Sequence, residues 1–132
     1  MIEDQKPGIE EIKAALDVAG AMTPVVALPH LRAAADLLAR LIDDALAAAV
    51  LDEGASLRGA GAAAGLTENA VGPRLARTAR LAGYANDAGR VTADAIRRAQ
   101  YDAETGTPAP AAPPTPAPMR FKPRRPTTEG AP

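Results

Sequence analysis

Residues 56–83 read SLRGAGAAAGLTENAVGPRLARTARLAG, a pattern that predicts two short helices joined by a sharp turn. Ser56 is the predicted N-cap of a helix over residues 57–64, because its hydroxyl can accept a free backbone N–H of the first turn. Gly65 suits the left-handed position that follows a helix and that other residues resist. Thr67 is the predicted N-cap of the second helix, which the pattern allows to continue to Gly83.

Pro73 interrupts the pattern of the second helix. Proline inside a helix removes a hydrogen bond and crowds the carbonyl four residues earlier, here that of Asn69, at a cost of about 3 kcal/mol. Two alternatives stay open at this point. Either the helix kinks at Gly72 and Pro73, or a new helix begins with Pro73 in its first turn and residues 67–71 form a loop or separate turn.

The same stretch resembles the fourth conserved region of small alternative sigma factors, which is a helix-turn-helix DNA-binding unit. In that family a Gly-Leu-Ser/Thr-Glu turn opens a helix with the pattern x-x-Val-x-x-Arg-Leu-x-Arg. The matching residues are Gly65, Leu66, Thr67, Glu68, Val71, Arg74, Leu75 and Arg77. The preceding helix departs from the family, in which larger residues are usual at the positions of Gly59, Ala60, Gly61 and Ala64.

The resemblance implies that the second helix enters the major groove of DNA with its first side chains facing the base edges. Those side chains are Thr67, Glu68 and Asn69. Asparagine can pair with adenine, and glutamate can accept a hydrogen bond from the amino group of cytosine. The sequence therefore predicts base contacts at the start of this helix.

Four arginines of the stretch are predicted to contact the DNA backbone, which sets register and affinity more than sequence preference. Arg74, Arg77 and Arg80 are spaced to share one flank of the second helix, and Arg58 lies early in the preceding helix.

The whole chain predicts an all-α protein of four or five helices in three parts. Residues 1–28 are predicted as an N-terminal helix, over 8–21, and an extended linker. Residues 29–104 are predicted as the helical domain with the helix-turn-helix. Residues 105–132 are predicted as a disordered, Pro- and Ala-rich linker with a basic tail, because such a segment cannot build a packed core.

Three predictions concern the elements around the central stretch. The longest helix, over residues 30–53, carries one wide apolar stripe, which is either the core of a three-helix domain or a seam between two copies in a homodimer. Residues 84–92 form a loop or, alternatively, a minimal wing. Thr92 is the predicted N-cap of a last helix over residues 93–104.

The tail contains the sequence MRFKPRRP at residues 119–126. Its basic side chains can neutralise phosphates, and they are Arg120, Lys122, Arg124 and Arg125. Two alternatives are a solubilising tail and a peptide that docks on a protein partner through Met119 and Phe121.

The amino-acid composition limits the classes of protein to which the chain can belong. The chain has 132 residues and a formal net charge of −1, with ten acidic and four basic residues in 1–55 but seven basic and three acidic residues in 56–101. It has no cysteine, and no apolar run reaches the ~18 residues that a membrane helix needs. The charged N-terminus is unlike a signal peptide, so a cytoplasmic protein without membrane contact is predicted. The 33 alanines and 12 arginines are typical of GC-rich genomes, as in high-GC bacteria and their phages.

Catalysis has little support in the sequence. His30 is the single histidine, and the adjacent acidic pairs point about 100° apart on a helix and do not share a site. We therefore expect a small DNA-binding protein, for transcriptional regulation or as an accessory factor of a phage or other mobile element, without an enzymatic activity, cofactor or metal. Its expected partner is double-stranded DNA. The alternative is a helical protein–protein adaptor in which the helix-turn-helix is structural only.

Overall fold

The computed structural model describes residues 2–112, with side chains from Gly8 onward, and all regular structure in this range is helical. The elements are α1 (Ile2–Gly20), α2 (Pro24–Asp52), α3 (Leu57–Ala63), α4 (Glu68–Leu75) and α5 (Ala93–Thr105), with a short 3-10 helix at Ala82–Tyr84. The predicted all-α class is confirmed. The predictions for Arg120, Lys122, Arg124 and Arg125 fall outside the described residues.

α1 and α2 pack as an antiparallel hairpin, which we call the arm. Three alanines are buried in it, Ala19 of α1 and Ala27 and Ala34 of α2. Gly8 lies level with Leu41, since a Cβ atom built on Gly8 would be 3.8 Å from Leu41 Cδ1. α1 therefore reaches at least as far along α2 as Leu41.

The start of α2 corrects the sequence prediction. The helix begins at Pro24 and contains Pro29, whereas the sequence predicted an extended linker before a helix over residues 30–53. Pro24 occupies the first helical position, where its missing N–H costs nothing and its fixed φ angle suits the helix. Pro29 removes only the bond to the carbonyl of Val25, a residue that is 79% exposed in the first turn. Water can satisfy that carbonyl, so the helix continues through the proline.

The second part of α2 belongs to a compact head built with α3, α4 and α5. Its largest fully buried side chains are Val50, Val71, Leu75, Leu81 and Val91. The apolar stripe of α2 thus lies in two environments. Its C-terminal part is core, as the three-helix alternative predicted for the 30–53 helix, and its N-terminal part lies on the arm.

Local signals for the helix ends are confirmed. The Ser56 hydroxyl accepts a hydrogen bond from Gly59 N–H at 2.9 Å, and the Thr92 hydroxyl accepts one from Ala95 N–H at 3.3 Å. Gly65 has φ of +72°, the left-handed conformation that glycine adopts without strain. Thr67 is the N-cap of α4 by its backbone, but its side chain makes no capping hydrogen bond.

α3 and α4 approach each other very closely at Gly61. A Cβ atom at Gly61 would lie 2.6 Å from Val71 Cγ2, which is too short a distance for two non-bonded carbon atoms. The Gly61 carbonyl also accepts a hydrogen bond from Leu66 N–H at 2.8 Å, which fixes the turn between the helices. The glycine that departs from the sigma-factor pattern is thus required by this contact.

α4 contradicts the second alternative for Pro73, because residues 68–72 are helical and do not form a loop or a separate turn. It runs from Glu68 through Pro73 to Leu75 and ends there, well before Gly83, so that Arg77 and Arg80 lie in the following turns. The orphaned carbonyl of Asn69 accepts a hydrogen bond from Arg90 Nη2 at 2.6 Å. An external donor thus replaces the helical hydrogen bond that proline cannot make.

The segment that carries Arg90 is a loop and not a wing, since no strand occurs within residues 2–112. The Asn86 side-chain oxygen accepts hydrogen bonds from the N–H groups of Ala88 and Arg90, both at 3.0 Å. Val91 N–H donates to the Gly72 carbonyl at 3.1 Å. The loop is therefore closed by Asn86 and anchored on α4.

The Gly61 contact generates a stability prediction. Gly61→Ala forces α3 away from Val71, and we expect a loss of about 1–3 kcal/mol in unfolding free energy, measured by urea denaturation. Gly20→Ala is the matched control, because its Cβ atom would meet nothing within 4 Å. A loss of equal size in both variants would contradict the close packing of α3 on α4.

Candidate nucleic-acid interface

The start of α4 is open to solvent. Thr67, Glu68 and Asn69 are all exposed, and they precede the buried pair Val71 and Gly72. Because the Thr67 hydroxyl makes no capping bond, it is available to an external group. The three residues predicted to face base edges therefore lie together on one accessible end of a helix.

Two arginines flank this end. Arg58 Nη2 lies 3.4 Å from Glu68 Oε2, and the Arg58 side chain is 83% exposed. Arg90 reaches Asn69 through the hydrogen bond to its carbonyl and is also exposed. Arg90 was not among the residues predicted from the sequence. Its signal was Pro73, which predicts an unsatisfied carbonyl at Asn69 and hence a need for a nearby donor.

Two of the arginines predicted to contact phosphates are paired with carboxylates of the chain itself. Arg74 Nη1 lies 3.1 Å from Asp43 Oδ1, and the Asp43 side chain is only 9% exposed. Arg80 makes a two-pronged contact with Asp52, at 2.8 and 2.7 Å. Both carboxylates belong to α2, so these arginines join α4 and the following turns to that helix.

Arg77 is exposed but also faces α2. With Thr78 it lines a shallow depression of about 440 Å³ whose other side chains include Asp36, Arg40, Asp43 and Asp44. The three arginines of the predicted flank lie on one side of the head, but that side faces acidic residues of α2. The structure does not bring Arg74, Arg77 and Arg80 to the exposed start of α4.

The Arg80–Asp52 pair shifts both pKa values. The hydrogen bond from Arg80 lowers the pKa of Asp52 below its usual value, against a smaller opposing effect of burial. The same hydrogen bond raises the pKa of Arg80. The pair therefore stabilises the fold wherever Asp52 is ionised.

A second polar contact fixes α5. The Tyr84 hydroxyl donates to Asp102 Oδ2 at 2.8 Å, and both residues are buried. Burial, and then the hydrogen bond to Asp102, raise the pKa of the Tyr84 phenol. The Arg98 guanidinium lies over the Tyr84 ring at 5.8 Å from its centre, which adds a cation–π contact.

Comparison of the chain with protein-family models, with curated proteins and with solved structures found no match. Among the described side chains, no group of three or more histidine or acidic residues is placed to hold a metal ion. None of the helices in residues 2–112 is long and apolar enough to cross a membrane.

The Asp52–Arg80 pair predicts an acid-sensitive contribution to stability. Since the pKa of Asp52 is lower in the folded chain, its contribution is present above the unfolded value of about 4 and is lost as pH falls through the folded value. Asp52→Asn should lower the unfolding free energy by about 0.5–1 kcal/mol at pH 7 and converge with the wild type in acid. Urea denaturation between neutral and acidic pH measures this.

The matched control is Asp36→Asn, because the Arg32–Asp36 pair is exposed on both sides, at 82% and 57%. It should change stability by no more than about 0.5 kcal/mol at any pH. A loss in Asp52→Asn that persists unchanged in acid would show that the pair does not act through the charge of Asp52.

Proposed function

We propose that α3, the turn after it and α4 act as a helix-turn-helix, and that the chain binds double-stranded DNA through the start of α4. One observation carries the proposal: Thr67, Glu68 and Asn69 are exposed together, with Arg58 and Arg90 in contact with Glu68 and Asn69. The major groove is about 12 Å wide and admits one helix, so its flanking phosphates lie beside that helix.

Each group has a role suited to its chemistry. The free N–H groups at the start of α4 and the helix dipole favour a negatively charged backbone there. Arg58 and Arg90 supply the cations for the neighbouring phosphates. Asn69 and Glu68 offer the side chains for base edges, and Glu68 already accepts a hydrogen bond from Arg58. Arg58 would exchange this exposed contact for a phosphate at little cost.

The packing behind this surface supports the proposal. Val71 and Leu75 are fully buried in the head, and Gly61 allows α3 to lie directly against Val71. The helix that would enter the groove is thus held from behind by two other helices. A rigid support of this kind keeps the exposed side chains in register.

Arg74 and Arg80 take a positioning role in this proposal. Removing Arg74 leaves Asp43 buried without its partner, which is costly. A loss of DNA binding after their substitution would therefore confound contact with stability. Arg58 and Arg90 are the sharper test, because both are exposed and the carbonyl of the exposed Asn69 can bond to water when Arg90 is removed. The basic tail, with Arg120, Lys122, Arg124 and Arg125, is proposed as an additional phosphate contact.

The second candidate is the protein–protein adaptor. Two observations favour it: the acidic residues of α2 meet the arginine side of the head, and large apolar side chains stand exposed on the arm, among them Leu28 at 61%. In this case the start of α4 is a structural helix end, and the chain has no affinity for DNA.

The test is fluorescence anisotropy with a mixed-sequence DNA duplex at several salt concentrations. We expect salt-sensitive binding by the full chain. Since each phosphate contact contributes a slope of about 0.9 in log K against log salt, the double variant Arg58→Ala, Arg90→Ala should bind more weakly with a slope smaller by about 1.8. Circular dichroism melting should show that the double variant remains folded.

The matched control is Arg32→Ala, Arg97→Ala, which removes two exposed charges that pair locally with Asp36 and Asp94. It should bind as the wild type does. Equal weakening in both double variants would contradict a localised interface. A chain that ends at Ala112 measures the contribution of the tail to DNA binding. Absence of DNA binding by every form of the chain at low salt would favour the adaptor.

A further inference from the structure

An uncharged stripe runs along α2 from the arm into the head, with side chains alternately three and four residues apart. We call it the outer stripe, and its members are Leu28, Leu31, Ala35, Leu38, Ile42, Ala45 and Ala49. This spacing is that of a coiled-coil seam, in which one helix presents a continuous row to another. α1 does not cover the stripe, since Leu28, Leu31 and Leu38 are 61%, 43% and 47% exposed.

The two ends of the outer stripe differ in shape. At the arm end, Leu28 and Leu31 project into solvent. At the head end the stripe enters a groove of about 420 Å³ between α2 and α3, lined by small or aliphatic side chains: Ile42, Ala45, Leu46, Ala49, Ala60, Ala63 and Ala64. One surface therefore carries both a projection and an apolar recess.

We propose that the occupant of the outer stripe is a second copy of this chain, docked antiparallel about a two-fold axis near residues 36 and 37. A two-fold axis brings the same surface of both copies together, so a projection and a recess at opposite ends are each matched twice. The projecting leucines of each copy then enter the groove of the other.

The register follows from the sequence. With the axis at this point, Leu28 lies opposite Ala45 of the second copy, Leu31 opposite Ile42, and Ala35 opposite Leu38. Two of the three layers thus pair a large side chain with a small one, which is how facing positions of a helical interface fill space. A parallel pairing would place Leu28 against Leu28 and leave both grooves empty.

The size of the surface suits a reversible dimer. At 1.5 Å per residue the stripe is about 33 Å long, and at one to two helix diameters it covers roughly 300–650 Å² of each copy. A standard interface uses about 800 Å² of each partner. We therefore expect association that depends on protein concentration. This association does not require DNA and is measured without it.

The test is sedimentation velocity of the full chain over a range of concentrations. Two variants each place a charge on one member of the layer formed by Leu28 and Ala45. Wild type should form dimers. Leu28→Lys and Ala45→Glu should each be monomeric, because each buries an unpaired charge in both end layers. Both positions are exposed, so circular dichroism should show unchanged helicity.

An equimolar mixture of the two variants should regain dimers. In the mixed dimer the introduced lysine faces the introduced glutamate at one end, and the native Leu28–Ala45 layer is kept at the other. Val26→Lys is the matched control, because Val26 is 53% exposed on the same helix but points away from Leu28 two residues later. It should remain dimeric.

Three results would overturn the proposal. The first is a wild-type chain that stays monomeric at the highest soluble concentration, which would leave the stripe to a different partner. The second is dimer formation by Leu28→Lys or Ala45→Glu alone, which would place the contact elsewhere. The third is a mixture that stays monomeric, which would exclude the antiparallel register.

Discussion

The contact between Gly61 and Val71 is the constraint on which the rest of the head depends. Because no side chain separates the two helices there, α3 lies directly on α4, and the turn at residues 64–67 closes with Leu66 bonded to Gly61. Val71 and Leu75 are then carried into the core against the second part of α2. The exposed start of α4 is the other end of this same arrangement, so its accessibility follows from the packing behind it.

Electrostatics in the head act mainly between its own elements. α2 supplies Asp43 and Asp52, and α4 and the following turns supply Arg74 and Arg80. These pairs leave a small set of exposed cations around the start of α4, of which Arg58 and Arg90 are the members in contact with it. The proposed DNA surface is therefore narrower than the number of arginines suggests.

Arm and head share one helix, α2. The head uses the C-terminal part of α2 as core, where Leu46, Ala47 and Val50 are buried. The arm uses the N-terminal part, where α1 covers only one side and alanines bury little area. A second copy on the outer stripe would complete the burial that the arm by itself lacks, and it would add a second proposed DNA surface.

The sequence by itself determined the features with local causes. Helix ends at Ser56, Gly65 and Thr92 follow from side-chain capping and left-handed glycine, and the all-α class follows from apolar spacing.

Only the tertiary structure decided the partners of the arginines, because Arg74 and Asp43 are distant in the chain and meet only when α4 packs on α2. The same holds for Pro73: its cost is local and was predictable, but the donor that offsets it, Arg90, comes from a loop that the fold brings to Asn69. The start of α2 at Pro24 was likewise hidden, since a proline inside a helix is tolerated only where its orphaned carbonyl finds another donor or water.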